Sequence, residues 1–182
     1  MPPEQTRSDD RLRVHQTARD AARRAAFEIA RSAGAQIITR PAYQGAQMAI
    51  RDVEPLAGMR ASRQVELGAR GAARDYIRQA REAGHSWHRI GQALELEPGA
   101  DRDQQGVTVA DAAYSYAAGS PNTDTALRYG RSFVWRCRSC EHAVSDRGLC
   151  VSPAEDEHGH ADNCARLSAT VADWDAQWEA GQ

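Results

Sequence analysis

The sequence predicts a mainly α-helical chain that closes on a small metal-bound unit. Three observations carry that expectation. Apolar and small residues recur at helical spacing through most of the N-terminal half. Gly84 and Ser86 interrupt such a pattern between Tyr76 and Leu94, as a tight turn between two helices would. All four cysteines lie between positions 137 and 164, where Cys137-Arg138-Ser139-Cys140 is followed by His160 and Cys164 in an H-x3-C spacing.

The 182 residues allow one domain or two small ones with a modest core. All 23 basic residues are arginine, a side chain suited to phosphate contacts. The net charge of −2 hides an uneven distribution. Residues 1–91 hold 16 Arg against 10 acids, and residues 92–182 hold 7 Arg against 15. A basic half suits nucleic acid and an acidic half is repelled by it. Met1–Asp10 is polar and no apolar run is long enough to span a membrane, so a cytoplasmic protein is expected. In that compartment clustered Cys and His read as metal ligands rather than disulfides.

Taken in order, residues 1–8 read as a disordered tail. A helix is expected from Asp9 or Asp10 to Ala33, with Val14, Ala18, Ala22, Ala25 and Ile29 on one face and Gly34 as its stop. Ala35–Arg40 reads as a connector or at most a strand, and Pro41 as the start of a short helix through Asp52. Pro55 suits the first turn of a longer helix. Its inner stripe is expected to be Leu56, Met59, Leu67, Ala73, Ile77 and Ala80, interrupted by Arg63 and Arg70. Gly68 and Gly71 each cost about 1 kcal/mol relative to alanine, so a bend can fall there. After a polar loop, Thr108 and Asp111 form a capping-box pattern that opens a helix from Val109 to Ala118. Val109, Ala112, Ala113 and Tyr116 are expected to dock it. The division that follows is a helical domain over 9–118, a linker over 119–130 and a finger domain over 131–182.

Within Tyr76–Leu94, Ala80 is the small contact between helices and Gly84 can take the left-handed conformation that ends the first. Ser86 can cap the second. Trp87, Ile90 and Leu94 then face inward, and His88, Arg89 and Gln92 face outward. Arg and Gln can hydrogen-bond base edges in a major groove. Arg74, Arg78 and Arg81 on the preceding helix are placed to meet phosphates, and residues 55–94 hold 7 Arg against 3 acids. The stretch Ala-Gly-His-Ser-Trp-His-Arg-Ile-Gly-Gln-Ala-Leu, residues 83–94, resembles the region-4 helix-turn-helix of sigma factors and related bacterial regulators. The resemblance covers about twenty residues and implies DNA binding. Trihelical units of this kind also serve as protein-docking surfaces.

The second motif has the donor set of a closed, structural Zn²⁺ site: Cys137, Cys140, His160 and Cys164. Phe133-Val134-Trp135 suits a strand entering the Cys-x-x-Cys turn, and the segment after Cys140 suits a returning strand that ends at Arg147-Gly148. His160 and Cys164, four apart, are expected to share a helix face with Leu167, Val171, Trp174 and Trp178. The arrangement resembles a ββα or treble-clef-like zinc finger with a long loop from Cys150 to Glu157. Cys150, His142 and His158 are the spare ligands. Arg136, Arg138, Arg147 or Arg166 can offset the net charge of −1 that three thiolates leave on the ion. Residues 132–182 hold 4 Arg against 9 acids, a surface better suited to protein than to DNA.

No H-E-x-x-H, deaminase signature, glycine-rich phosphate loop or G-x-S-x-G elbow is present, so no enzymatic activity is expected. Glu155, Asp156 and Glu157 are the carboxylates nearest the finger loop. The combined pattern resembles small proteins of high-GC actinobacteria and their mobile elements. The expected function is sequence-specific DNA binding in transcription control. The rival is an adaptor that contacts a polymerase, recombinase or other regulator through the helical domain and the acidic finger. Many helix-turn-helix readers dimerise to span two half-sites, and the first helix is the segment that could supply such an interface.

Overall fold

A computed structural model of the chain describes residues 3–42, 47–96, 108–119, 132–148 and 152–180, with the backbone alone for 3–8, 40 and 177–180. Most of these residues are helical, and the strands form two small antiparallel sheets. The chain divides into two units, Met1–Ala72 and Ala73–Gln182. No helix among the described residues is long and apolar enough to cross a membrane.

In the first unit, helix α1 spans Pro3–Ser32, so it begins ahead of the expected Asp9–Asp10 start. Gly34, at φ 80°, follows its end. Strands β1 (Ile37–Pro41) and β2 (Ala49–Val53) then pair antiparallel, with Ile37 opposite Val53 and Pro41 opposite Ala49. The helix expected over 41–52 is therefore corrected at both ends: Pro41 closes β1 and residues 49–52 belong to β2, while residues 43–46 lie outside the described residues. The physical reason is the β-branched content of Ile37-Ile38-Thr39 and of Ile50 and Val53, which fits a pleated surface better than a helix.

Helix α2 runs unbroken from Pro55 to Glu82 through Gly68 and Gly71, and the division between units falls inside it. Glu54 starts it, its carboxylate accepting from the backbone N–H groups of Leu56 and Ala57, both at 2.9 Å. The first unit's core holds Ala26 and Ala30 of α1, Val53 of β2 and Ala61 of α2, with Ala57 and Val65 against it. The expected inner stripe of α2 holds at Ile77 and Ala80 and is corrected over the first half of the helix. Leu56, Met59 and Leu67 are exposed, at 62%, 68% and 53%. The face that packs is Ala57, Ala61 and Val65, because small side chains let the helix lie close to its neighbours.

In the second unit, the end of α2 leads through Gly84, at φ 91°, to α3 (Trp87–Ala93). Ser86 caps α3, its hydroxyl accepting from Arg89 N–H. Helix α4 (Val109–Ala118) opens on the Thr108–Asp111 capping box, with both reciprocal bonds made. It packs on α3 where Gly91 meets Val109: a Cβ at Gly91 would lie 2.5 Å from the Val109 carbonyl oxygen. Ala113 docks as expected, and the aromatic of α4 that joins it in the core is Tyr114, which is buried, and not Tyr116, which is exposed.

Strands β3 (Phe133–Arg136) and β4 (Ala143–Asp146) form the hairpin around the Cys-x-x-Cys turn. One helical turn, α5 (Pro153–Asp156), and a two-residue strand β5 (Glu157–His158) follow, and β5 pairs with β4. Helix α6 spans Ala165–Ala180. The helices and the cysteine-bearing hairpin region share one core: Ile77, Trp87, Ile90, Ala113, Tyr114 and Ala117 pack with Phe133, Trp135, Cys137, Val144 and Cys164. The division between units thus lies at Ala72, whereas composition places a boundary at 119–130. Residues 120–130 of that expected linker lie outside the described residues.

Candidate metal centre

The site is built on the turn of the β3–β4 hairpin and the approach to α6. Cys137 and Cys140 flank a turn closed by Glu141 N–H to the Cys137 carbonyl, at 2.7 Å, and Cys137 N–H to the His142 carbonyl, at 2.9 Å. Glu141 leaves this turn at φ 59°, a left-handed conformation uncommon for a side chain of its type. His160 and Cys164 sit on the approach to α6 and not on the helix as expected; Cys164 directly precedes it. Its N–H bonds the Ala161 carbonyl, and its own carbonyl receives Ser168 N–H. This turn brings both ligands round without helical spacing.

One ligand atom from each of Cys137, Cys140, His160 and Cys164 lies within 4.8 Å of the other three, so a single metal ion can reach all four. Cys137 Sγ and Cys164 Sγ are 3.7 Å apart, and Cys140 Sγ is 3.6 Å from His160 Nδ1. The first distance is far beyond the ~2.05 Å of a disulfide. His142 and His158 are exposed and stand outside the cluster, and Cys150 lies outside the described residues.

Burial pushes the Cys137 thiol up, and hydrogen bonds from the backbone N–H groups of Cys140 and Ser139 work against it. The Cys140 thiol moves the other way, down to about 6, chiefly because Ala161 N–H donates to it; desolvation opposes this, and His142 N–H and the His160 side chain assist. Backbone donors aimed at sulfur favour thiolate, the form that binds metal.

Behind the ligands lies a buried charge network that sequence reasoning missed. Glu157 accepts from His160 Nε2–H at 3.0 Å, which leaves Nδ1 with its lone pair on the sulfur side. The same carboxylate accepts from Arg166 at 2.7 Å and from Arg81. Burial pushes the Glu157 carboxyl up, but the two guanidiniums outweigh it and hold the group below the usual carboxylate range. Arg81 also donates to Asp146 at 2.9 Å and to the His85 carbonyl at 2.8 Å. Asp146 accepts from Trp87 Nε1–H at 3.0 Å and from Gly148 N–H at 3.1 Å. Arg166 lies 4.2 Å from the Trp135 ring centre, and Arg81 stands over both Trp87 and Trp135. Two cations and two anions thus close on one another away from water, as buried charges must. Of the arginines expected around the ion, Arg166 is the one in this network.

The residues expected to meet DNA separate into three groups. His88, Arg89 and Gln92 are exposed on α3, with Gln92 Nε2 3.0 Å from His88 Nε2. Ser86 serves as the cap of α3. Arg74 is exposed and lies against Gly119, and Arg78 is half-buried, paired with Asp75 at 2.7 Å and set over the Phe133 ring. Arg81 does not fit the phosphate role: at 4% exposure it is committed to Asp146 and Glu157. Those partners are 65 and 76 positions away in sequence, so no local pattern distinguishes Arg81 from a surface arginine. No protein-family model, curated protein or solved structure matches the chain.

Proposed function

We propose that residues 73–182 form a zinc-stabilised helix-turn-helix reader of double-stranded DNA and that the chain is a regulator, most simply of transcription. In this reading α2 and α3 are the helix-turn-helix, and β3, β4 and α6 form a treble-clef-like finger around a structural zinc. The observation that carries DNA reading is the division of α3: Trp87, Ile90 and Gly91 are buried, while His88, Arg89 and Gln92 face solvent. Arg89 and Gln92 supply base contacts, and Arg74 and Arg78 supply phosphate contacts.

Zinc is supported by donor chemistry and distance. Zn–S bonds of about 2.3 Å and Zn–N bonds of about 2.0 Å give tetrahedral edges of about 3.8 Å between sulfurs and about 3.5 Å from sulfur to nitrogen. The observed 3.7 Å and 3.6 Å fit those edges. Four protein ligands leave no position for a reacting water, so the ion's role is structural.

The test is selection of bound duplexes from a random pool by the zinc-loaded full chain, followed by titration of the Arg89→Ala variant on the selected site. The reading expects enrichment of a defined site and a loss of about 1–3 kcal/mol of specific binding on truncating Arg89. A pool that shows no enrichment would remove it. A second reading, a protein adaptor, is favoured by charge: residues 73–182 hold 11 Arg against 17 acids, and Arg81 is withdrawn into the core.

A further inference from the structure

The buried charge network joins two places that have separate tasks in the reading above. One end is the metal ligand His160. The other is the turn between α2 and α3, whose backbone is held by Gly84 N–H to the Arg81 carbonyl and His85 N–H to the Ala80 carbonyl, both at 3.0 Å. Glu157 receives His160 Nε2–H and Arg81 on its two oxygens. Arg81 in turn donates to the His85 carbonyl inside the turn. Asp146 fixes Arg81 and the Trp87 indole together, and Trp87 is the first residue of α3.

We propose that Glu157 and Arg81 are positioning residues that couple metal occupancy of the Cys137/Cys140/His160/Cys164 site to the conformation of the α2–α3 turn. The inference rests on the metal-binding part of the reading above and is independent of DNA recognition. An ion on Nδ1 fixes the imidazole plane, so Nε2–H meets the Glu157 carboxylate in one direction. Glu157 so oriented presents its second oxygen to Arg81, and Arg81 brings its other nitrogen to the His85 carbonyl. Without the ion the imidazole can turn, and the carboxylate loses one of its three donors. Glu157 is then held by Arg81 and Arg166 alone and is free to shift toward either guanidinium. Coupling of this kind is reciprocal: whatever metal does for the turn, the turn residues do for metal affinity.

The test uses the full chain titrated with Co²⁺ and with Zn²⁺, affinity being read by competition with a chromophoric chelator. Amide hydrogen exchange across residues 83–89 is followed with and without metal. Wild type is expected to give thiolate-to-cobalt absorption at one ion per chain and slower exchange in the turn when loaded. Glu157→Gln is expected to lower metal affinity about 10–100-fold, the range for an outer partner of a ligating histidine. The same variant should abolish the metal-dependent part of turn protection. Trp87→Phe, which keeps the aromatic body and removes the N–H, should lower affinity by a smaller factor. Ile77→Val thins the same core without touching a charge and should leave affinity unchanged. Wild-type affinity in Glu157→Gln, or equal losses in Glu157→Gln and Ile77→Val, would overturn the coupling. Absence of cobalt–thiolate absorption in wild type would instead sink the metal reading, and this inference with it.

Discussion

Among the described residues, the unit over 1–72 closes on three alanines and a valine, Ala26, Ala30, Ala61 and Val53. The unit over 73–182 closes on Trp87, Tyr114, Phe133 and Trp135, with Cys137 and Cys164 in the same cluster. Trp87 alone meets Tyr114 edge-on at 5.3 Å and Phe133 at 5.5 Å. A buried aromatic removes some 150–250 Å² from water, and an alanine methyl a small fraction of that. The first unit therefore stands largely on helix propensity and a hairpin. The second stands on packing, on a charge network closed inside it, and on a donor set that can take an ion.

The largest expected effect lies at the centre of the second unit. Trp135→Ala should destabilise it by about 3–5 kcal/mol. Chemical unfolding followed by the emission of the remaining tryptophans measures this, since all four tryptophans lie beyond residue 73. A loss under about 1 kcal/mol would mean that the aromatic cluster is not what holds the unit together. In the first unit, Ala61→Gly should cost about 1 kcal/mol in helix propensity and roughly 0.8 kcal/mol for the buried methyl. The loss should appear in far-UV circular dichroism of unfolding and leave tryptophan emission unmoved; a shift in both signals would show that the two units do not respond separately.

The smallest effect is a pH dependence at the start of α2. Hydrogen bonds from Leu56 and Ala57 N–H hold the Glu54 carboxyl below its ordinary value, against desolvation and with help from Arg60. A group depressed in the folded state contributes stability above its unfolded pKa and loses it as pH falls through the folded one. Acidification should thus release this cap, seen as a small loss of helical signal in an acid titration. Glu54→Gln should lack that step, and an identical titration in the variant would assign the step to another carboxylate.

Much of the second unit was readable as sequence because its signals are local. Gly84 and Ser86 mark a turn by backbone freedom and capping chemistry, Thr108 and Asp111 mark a helix start, and two cysteines three apart just after an apolar strand mark the hairpin. What escaped was set by distant partners. Arg81 is drawn inward by Asp146 and Glu157, which arrive from another part of the chain. His160 and Cys164 converge through a turn ahead of α6, a geometry their four-residue spacing imitates in a helix. Over the first half of α2 the face was misassigned because Leu and Met outrank Ala in hydrophobicity, whereas Ile77 and Ala80 farther along pack as expected. The repeat Ala57, Ala61 and Val65 at four-residue steps was present as a signal for close packing. Pro41 and residues 49–52 were misread because Pro41 also suits a helix start, whereas here it ends a strand.

The central proposal is that one zinc ion at Cys137, Cys140, His160 and Cys164 organises the second unit. It is tested most directly by titrating the purified full chain with a strong zinc chelator while following zinc release and tryptophan emission together. The account predicts that one zinc per chain leaves and that the emission shifts toward that of solvent-exposed indole in the same step. Purified protein that carries no zinc and takes up none, or zinc release with no change in emission, would contradict it.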